Sequence, residues 1–455
     1  MAAKIFMGNM PELMEKILNN LNNEFNSLRS CALVSRHWCK MSIPMLWQDP
    51  FSFEQNLLVI SIYFSSLGED EKFILKGYGI NEEFSKTLFD YARFLKVLDL
   101  ACLTSLYFPK YLELKSEIFN SFEQNVQFFS QLQELVLGKI SLGFRIESAT
   151  KLLRILAKNV TKINALKLDR FASDYKQQLF HALICIINSQ EQLKEFSLVS
   201  EKYLSLFYDI ISDSEIQNNA EFEKLKDCKK LEILRIKYCD MKLLKIFNYK
   251  ISTLEIVCLQ IDASNIVQIL ENSCILLQRF KLATEELFEE SLLLESLEYF
   301  CPNITYLNIS KIGFSTQLIA LISNLQKLQF LTLCCTDESI DLNDSTDTLE
   351  EELKIRAMQF AELLPSTLQY LDLRGTWLNQ NMDISLNHCN SPLKKLLIGR
   401  LDDENSSKAL IEFCIRIRTL NYVGVLDYLD LNDNIKKDVE AYVVLVPYER
   451  IVVDC

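Results

Sequence analysis

The side chains that most often carry out catalysis are sparse and scattered in this 455-residue chain. Its three histidines are His37, His181 and His388, and none stands at a metal-ligand spacing or beside a plausible nucleophile. The phosphate-binding patterns GxGxxG and GxxxxGK[ST] do not occur, and no pair of carboxylates stands apart from the solvated helix faces. The sequence therefore predicts a protein that is not an enzyme, with no catalytic residue, no metal site and no cofactor. His181 lies in an apolar helical pattern and is expected in a core.

Composition narrows the possible partners and the compartment. The formal net charge is −13 and there is no Lys/Arg run, which argues against nucleic acid and membranes as partners. The 14 cysteines include no CxxC pair, so we expect reduced, mostly buried thiols in a cytoplasmic and/or nuclear protein. Neither Leu57 to Phe64 nor Ala182 to Ile187 is long enough to span a bilayer, and no signal peptide is expected.

With catalysis not indicated, the function that remains is non-covalent recognition. A repeated strand would position the side chains that carry it. A six-residue phrase recurs along the chain: an apolar residue, two others, an apolar residue, one other, an apolar residue. Its twelve instances begin at Leu95, Leu132, Ile163, Leu193, Leu231, Leu254, Leu277, Ile304, Leu328, Leu368, Leu393 and Ile417. Helical patterns separate many of these phrases, so the predicted unit is one strand followed by one helix. Stacked copies of such a unit share one continuous core.

Alternation along each strand assigns the phrase residues to two faces. The fourth and sixth residues are predicted to face the core, and the third, fifth and seventh to lie on an exposed concave face. That face includes Glu134, Lys167, Glu195, Arg235, Lys237, Arg279, Lys281, Tyr306, Asn308, Phe330, Thr332, Tyr370, Asp372, Arg374 and Lys395.

Basic and aromatic residues on the predicted concave face have the usual composition of a binding hot spot. The candidate target-binding residues are Arg235, Lys237, Arg279, Lys281, Tyr306, Phe330, Tyr370 and Arg374. The alternatives are an ordinary repeat surface or an error in the strand register.

The segment from Met10 to Trp47 has a different pattern. Pro11 and Glu12 suit the first turn of a helix, and apolar residues then follow at helical spacing. A second helix is predicted to begin near Asn26 or Ser27. About forty residues cannot bury this much apolar surface alone, so the segment needs a partner. That partner is either the rest of the chain or another protein.

This segment resembles an F-box. The resemblance is carried by Met10-Pro11-Glu12-Leu13, Ile17-Leu18, Leu21, Leu33-Val34-Ser35-Arg36-His37-Trp38 and Pro44-Met45-Leu46-Trp47. In that family three helices dock onto the Skp adaptor of a cullin-based ubiquitin ligase. The resemblance implies adaptor-binding roles for Pro11, Leu13, Ile17, Leu18, Leu21, Leu28, Val34, Trp38, Leu46 and Trp47. The alternative is a three-helix cap whose tryptophans are ordinary core residues.

The strand phrases resemble the leucine-rich repeats that commonly follow an F-box, although the expected ninth-position Asn or Cys occurs only as Cys239. The implied fold is α/β, with an N-terminal three-helix F-box before an irregular leucine-rich-repeat solenoid whose parallel sheet is curved. The domains would be an F-box over 1–48, a connector and N-terminal cap of the solenoid over 49–94, a solenoid of about 12 repeats over 95–441 and a C-terminal capping strand or tail over 442–455.

The implied function is substrate recognition in an SCF-type (Skp–cullin–F-box) ubiquitin ligase. The partners would be a Skp adaptor, through it a cullin scaffold, and an unknown protein substrate. The alternative is a repeat scaffold without a ubiquitin role. Two other segments carry predictions: Asn81 to Phe94 as an amphipathic helix, and the acidic Asp337 to Glu352 as a solvated loop or a contact for a basic partner.

Overall fold

The computed structural model divides the chain into two compact units, residues 1–231 and 232–455. The described residues are 11–21, 24–50, 62–63, 65, 67–77, 87, 89–100, 129–138, 146–171, 177–200, 228–239, 244, 250–336, 347–375, 378, 381–401 and 404–453.

The described part of the first unit starts with three helices: α1 (Pro11–Asn20), α2 (Phe25–Ala32) and α3 (Arg36–Leu46). Helix α3 begins after Ser35, whose hydroxyl accepts a hydrogen bond from the backbone N–H of Trp38 at 3.3 Å. This N-cap satisfies a donor that the first turn of a helix leaves unpaired. Helix α4 (Glu69–Gly77) follows, and Tyr91–Phe94 form a 3₁₀ turn at the end of the predicted 81–94 helix. Residues 81–86 lie outside the described ranges.

Parallel strands alternate with helices in the rest of this unit. The strands are β1 (Val97–Asp99), β2 (Glu134–Leu137), β3 (Ala165–Phe171) and β4 (Glu195–Ser200), with α5 (Ile146–Asn159) and α6 (Gln177–Ser189) between the last three. Each strand begins at the third residue of a predicted phrase. The register consequently aligns the fourth-position residues, which are all buried: Leu98, Leu135, Leu166 and Phe196.

The second unit repeats this alternation around a longer parallel sheet. Its strand order is β5 (Ile233–Lys237), β6 (Thr253–Val257), β8 (Arg279–Ala283), β10 (Tyr306–Gly313), β11 (Phe330–Thr336), β12 (Tyr370–Asp372), β13 (Lys395–Ile398), β14 (Tyr422–Val425) and β15 (Val444–Pro447), while β7 (Gln260–Asp262) pairs separately with β9 (Glu286–Phe288).

Helices connect most of these strands, as parallel pairing requires a crossover. They are α7 (Ser264–Ser273), α8 (Glu290–Phe300), α9 (Thr316–Asn324), α10 (Asp347–Leu363), α11 (Met382–His388), α12 (Glu404–Arg416) and α13 (Asp433–Glu440). The prediction of an α/β fold built from parallel strand–helix units is confirmed.

Two of the twelve predicted phrases were placed three residues out of register, one too late and one too early. Strand β6 pairs Leu254 with Leu234, a fourth-position residue, so this phrase begins at Ile251 and not at Leu254. Strand β14 pairs Tyr422 with a third-position residue, so its phrase begins at Leu420 and not at Ile417. Both stretches satisfy the apolar pattern in two registers three residues apart. The pattern alone therefore could not distinguish the correct register from the other.

Three local predictions are corrected by the structure. His181 is exposed on α6 although its neighbours Ala182 and Leu183 are buried, so it is not a core residue. The acidic segment is helical from Asp347 onward, whereas residues 337–346 lie outside the described ranges. Within the predicted capping strand or tail over 442–455, the described strand is limited to β15, and Tyr448–Arg450 form a 3₁₀ helix.

Candidate protein-interaction surfaces

The three N-terminal helices share one small core. Leu18 of α1 and Leu28 of α2 are at most 1% exposed, and Trp38 and Leu46 of α3 are 5% and 8% exposed. Met14 completes this cluster, and the half-buried side chains packed against it also come from residues 17–47. The helices are therefore held together by their own apolar side chains.

This packing changes the role of four predicted adaptor contacts. Leu18, Leu28, Trp38 and Leu46 face one another, so their side chains are not offered to a second protein. Their predicted contact role is replaced by a supporting one. The predicted residues Leu13, Ile17 and Leu21 are half-buried, and Pro11 begins α1 with its side chain outside the description.

Large exposed apolar side chains lie on α2 and just after it. Leu33 is 82% exposed, Val34 50% and Phe25 38%. The turn is fixed by backbone hydrogen bonds from Leu33 to Ser30 and from Val34 to Cys31, both 3.1 Å long. Adjacent apolar side chains held out by a rigid turn are typical of a docking surface. Sequence reasoning predicted Val34 as a contact but missed Leu33 and Phe25, which lie off the internal apolar stripe.

Trp47 joins the helices to the segment that follows them. Its ring centroid lies 4.3 Å from that of Tyr91 and 5.5 Å from that of Tyr63. The Tyr63 hydroxyl donates a hydrogen bond to the Trp47 carbonyl. Burial, with a smaller effect from the charge of Asp49, raises the pKa of Tyr63 well above its ordinary value. Trp47 is half-buried, so much of its predicted contact surface is used within the chain.

In the second unit, three predicted basic residues converge on one carboxylate. Glu255 is 1% exposed, and Arg235 Nε, Lys237 Nζ and Lys281 Nζ lie 3.2, 3.0 and 3.0 Å from its oxygens. Burial alone would raise the pKa of Glu255, but hydrogen bonds and charge from Lys237 and Lys281 outweigh it and lower the pKa. We call Arg235, Lys237, Lys281 and Glu255 the basic cluster.

Glu255 was missed because the phrase containing it was misplaced. In the observed register it is a fifth-position residue, paired with Arg235 on one side and Lys281 on the other. We call the side of the sheet formed by third- and fifth-position residues the strand face. If the predicted phrase had begun at Ile251, the Glu255 carboxylate would have been placed between cations on this face. The cations are therefore partly structural, with side-chain exposures of 16% to 31%.

The predicted aromatics do lie in a row, because the register pairs Tyr306 with Phe330 and Phe330 with Tyr370. Their ring centroids are 6.2 and 5.8 Å apart, and the Arg279 guanidinium lies 4.5 Å from the Tyr306 centroid. We call Tyr306, Phe330 and Tyr370 the aromatic row. The prediction of full exposure is wrong: Tyr306 and Tyr370 are each 1% exposed, and Phe330 is half-buried.

Residues 448–453, the covering segment, bury this row. Ile451 packs in a cluster with Tyr370 and Leu397, which also includes Phe330 and Val453 at its edge. The Tyr306 hydroxyl donates to the Val453 carbonyl, and the Val453 N–H donates to the Tyr370 hydroxyl, each at 3.3 Å. The covering segment is thus held both by apolar contact and by hydrogen bonds to its backbone.

Arg374 also contacts the covering segment. Its Nε and Nη2 donate to Asp372 at 2.9 and 2.7 Å, a bidentate pair that fixes the guanidinium plane. The central carbon of the guanidinium, Arg374 Cζ, lies 4.3 Å from the centroid of the Tyr448 ring. Asp372, predicted on the exposed face, is 2% exposed. The other predicted face residues are half-buried: Glu134, Lys167, Glu195, Asn308, Thr332 and Lys395.

Within the described ranges, no group of three or more His, Cys, Asp or Glu side chains could hold a metal ion. None of the helices in those ranges has the length and apolar character needed to cross a membrane.

Comparisons with known proteins give weak likenesses only. No protein-family model matches the chain, and no curated protein matches it. Among solved structures, the chain is similar to the leucine-rich repeat-containing protein LegL7 from Legionella pneumophila, at 12% identity and a TM-score of 0.30 over 71% of this chain and 87% of that one. It is also similar to a chain of the Rad7 and Elc1 complex in yeast, at 13% identity and a TM-score of 0.45 over 90% and 94%. Both TM-scores are below 0.5, so the fold assignment rests on the strands, helices and register described above.

Proposed function

We propose that this protein is the substrate-recognition subunit of an SCF-type ubiquitin ligase. Helices α1–α3 would act as an F-box that binds a Skp adaptor, and through it a cullin. The strand face of the second unit would bind the target protein. The chain itself would catalyse no reaction, and would act by holding a target close to the conjugating machinery.

The turn between α2 and α3 carries this proposal. It presents Leu33 and Val34 to solvent on a helical unit that has its own core. Burying one such side chain in an interface contributes roughly 1.5–3 kcal/mol. These two side chains lie within the F-box-like motif and are the proposed anchors of the adaptor contact.

Co-purification with a co-expressed Skp adaptor tests the proposal. The wild-type chain should retain the adaptor, and the double variant Leu33→Asp/Val34→Asp should lose it. Leu429→Asp is a matched control, because Leu429 is 95% exposed and lies in the other unit. Absence of adaptor from the wild-type preparation, or its retention by the double variant, would contradict the proposal.

The second candidate is a repeat scaffold with no ubiquitin role. The aromatic row supports protein recognition for the ligase subunit and for the scaffold alike, because its residues lie outside α1–α3. A chain that never binds the adaptor but still captures a protein through the strand face would be such a scaffold.

A further inference from the structure

The covering segment sits on the aromatic row as a bound peptide would. Over six residues it places an aromatic ring at Tyr448 and aliphatic side chains at Ile451 and Val453. Tyr448 lies against Arg374, Ile451 packs with Tyr370, and the Val453 backbone meets two tyrosine hydroxyls. The segment does this as a single 3₁₀ turn over Tyr448–Arg450 and the residues after it. Side-chain contacts combined with backbone hydrogen bonds are how proteins read bound peptides.

The strand face is shaped for this close approach. Gly424 on β14 lies directly beneath the covering segment. A methyl group added there would lie 3.0 Å from Ile451 Cδ1 and 3.1 Å from the backbone Cα of Tyr448. A side chain at this position would therefore crowd whatever segment lies above it, so glycine keeps the floor of the groove open. Glycine is used here for space, since its φ is not in the left-handed region.

The covering segment lies outside the strand pairing. Strand β15 ends at Pro447, and its parallel pairing with β14 reaches no further. The Ile451 and Val452 amides donate to the Tyr448 carbonyl at 3.0 Å, inside the segment itself. The described contacts that hold residues 448–453 to the row are thus ones that a peptide from another protein can reproduce.

We propose that the aromatic row is a peptide-binding groove which residues 448–453 occupy in cis. The partner it fits is a segment of another protein that forms the same short turn and has the pattern aromatic–x–x–aliphatic–x–aliphatic, read by Arg374, Tyr370 and Tyr306. This proposal adds the chemistry of the target to the proposed function. It rests on that function only in identifying the bound partner as the target of the ligase. A tethered segment has an effective concentration in the millimolar range, so the partner must outcompete it.

A blocked synthetic peptide of residues 446–453 tests the groove in the full-length chain, with binding followed by ligand-observed NMR. The peptide should bind Ile451→Ser at least about tenfold more tightly than the wild type, because the resident segment loses its buried apolar anchor and the groove is unchanged. Val452→Ser is the matched control, since Val452 lies in the same segment but is 36% exposed. Adding Phe330→Ala to the Ile451→Ser chain should abolish the gain, and a scrambled peptide should not bind.

Tyr448→Ser, which removes the ring that packs on Arg374, provides a second way to release the segment if Ile451→Ser fails to fold. Circular dichroism establishes that each variant is folded. Equal peptide affinity in the wild type and the folded released variants would overturn the proposal, as would a gain that survives Phe330→Ala. Adaptor co-purification on the same preparations separates the ligase function from the peptide-binding groove. Loss of adaptor binding with intact peptide binding would contradict the ligase function alone.

Discussion

The two predicted interaction surfaces differ in what covers them. At the turn after α2, Leu33 and Val34 remain exposed on helices that pack only their inner stripe. On the strand face of the second unit, Tyr306 and Tyr370 are buried by residues 448–453 of the same chain. The aromatic row was predicted from residues at regular spacing, and the adaptor-binding residues, which include Val34 but not Leu33, from the F-box resemblance. The difference shows that spacing identifies residues that lie together, whereas what covers them depends on segments far away in sequence.

The largest expected effect separates core from surface within the N-terminal helices. Leu18→Ala removes a fully buried side chain and should lower the free energy of unfolding of this segment by about 2–5 kcal/mol. Val34→Ala, on the exposed turn, should change it by less than about 0.5 kcal/mol. Urea unfolding followed by circular dichroism checks both values. Similar losses in the two variants would remove the distinction between a supporting core and a presented surface.

A smaller effect is expected in the basic cluster. Glu255→Gln leaves Arg235, Lys237 and Lys281 around a neutral amide and should destabilise the second unit by about 2–4 kcal/mol, as loss of one partner in a buried ion pair does. Glu449→Gln is the matched control because that side chain is exposed. If both variants unfold at the same urea concentration as the wild type, the cluster is not structural.

The pH dependence of that cluster is expected to be weaker still. The folded pKa of Glu255 lies below its ordinary value of 4.5. As the pH falls below about 4.5, the unfolded chain therefore takes up the proton first, and stability falls. The stability difference between wild type and Glu255→Gln should narrow as the pH decreases from 4.5 towards the lowered folded pKa. Urea midpoints measured for both chains between pH 7 and about pH 3.5 test this, and a constant or widening difference would contradict it.

Sequence reasoning located the repeated unit well because each strand and helix carries a strong local pattern. Strands β10, β11 and β12 begin at the predicted third position of their phrases, so the alignment of the aromatic row was predictable. Strand β6 was misplaced because its apolar residues fit two registers, and this concealed Glu255. The covering of Tyr306 by Val453 was not predictable from spacing, since 147 residues separate the two partners.

The N-terminal helices show the same limit on a shorter scale. The pattern correctly grouped Leu18, Leu28 and Trp38, but the F-box resemblance assigned them to contact with another protein. Three short helices bury these residues among themselves, and Leu33 is left exposed instead. Which apolar residues of a small unit face inward is decided by mutual packing, and a linear motif does not contain that information.

Hydrogen exchange of the full-length chain, with and without a purified Skp adaptor, tests the central claim most directly. The adaptor should slow exchange at residues 25–36, around the exposed turn, and leave residues 250–336 of the second unit unchanged. The Leu33→Asp/Val34→Asp chain should show no slowing at any adaptor concentration that protects the wild type. Exchange that is unaffected at residues 25–36 of the wild type, or protection confined to the strand face, would contradict the account.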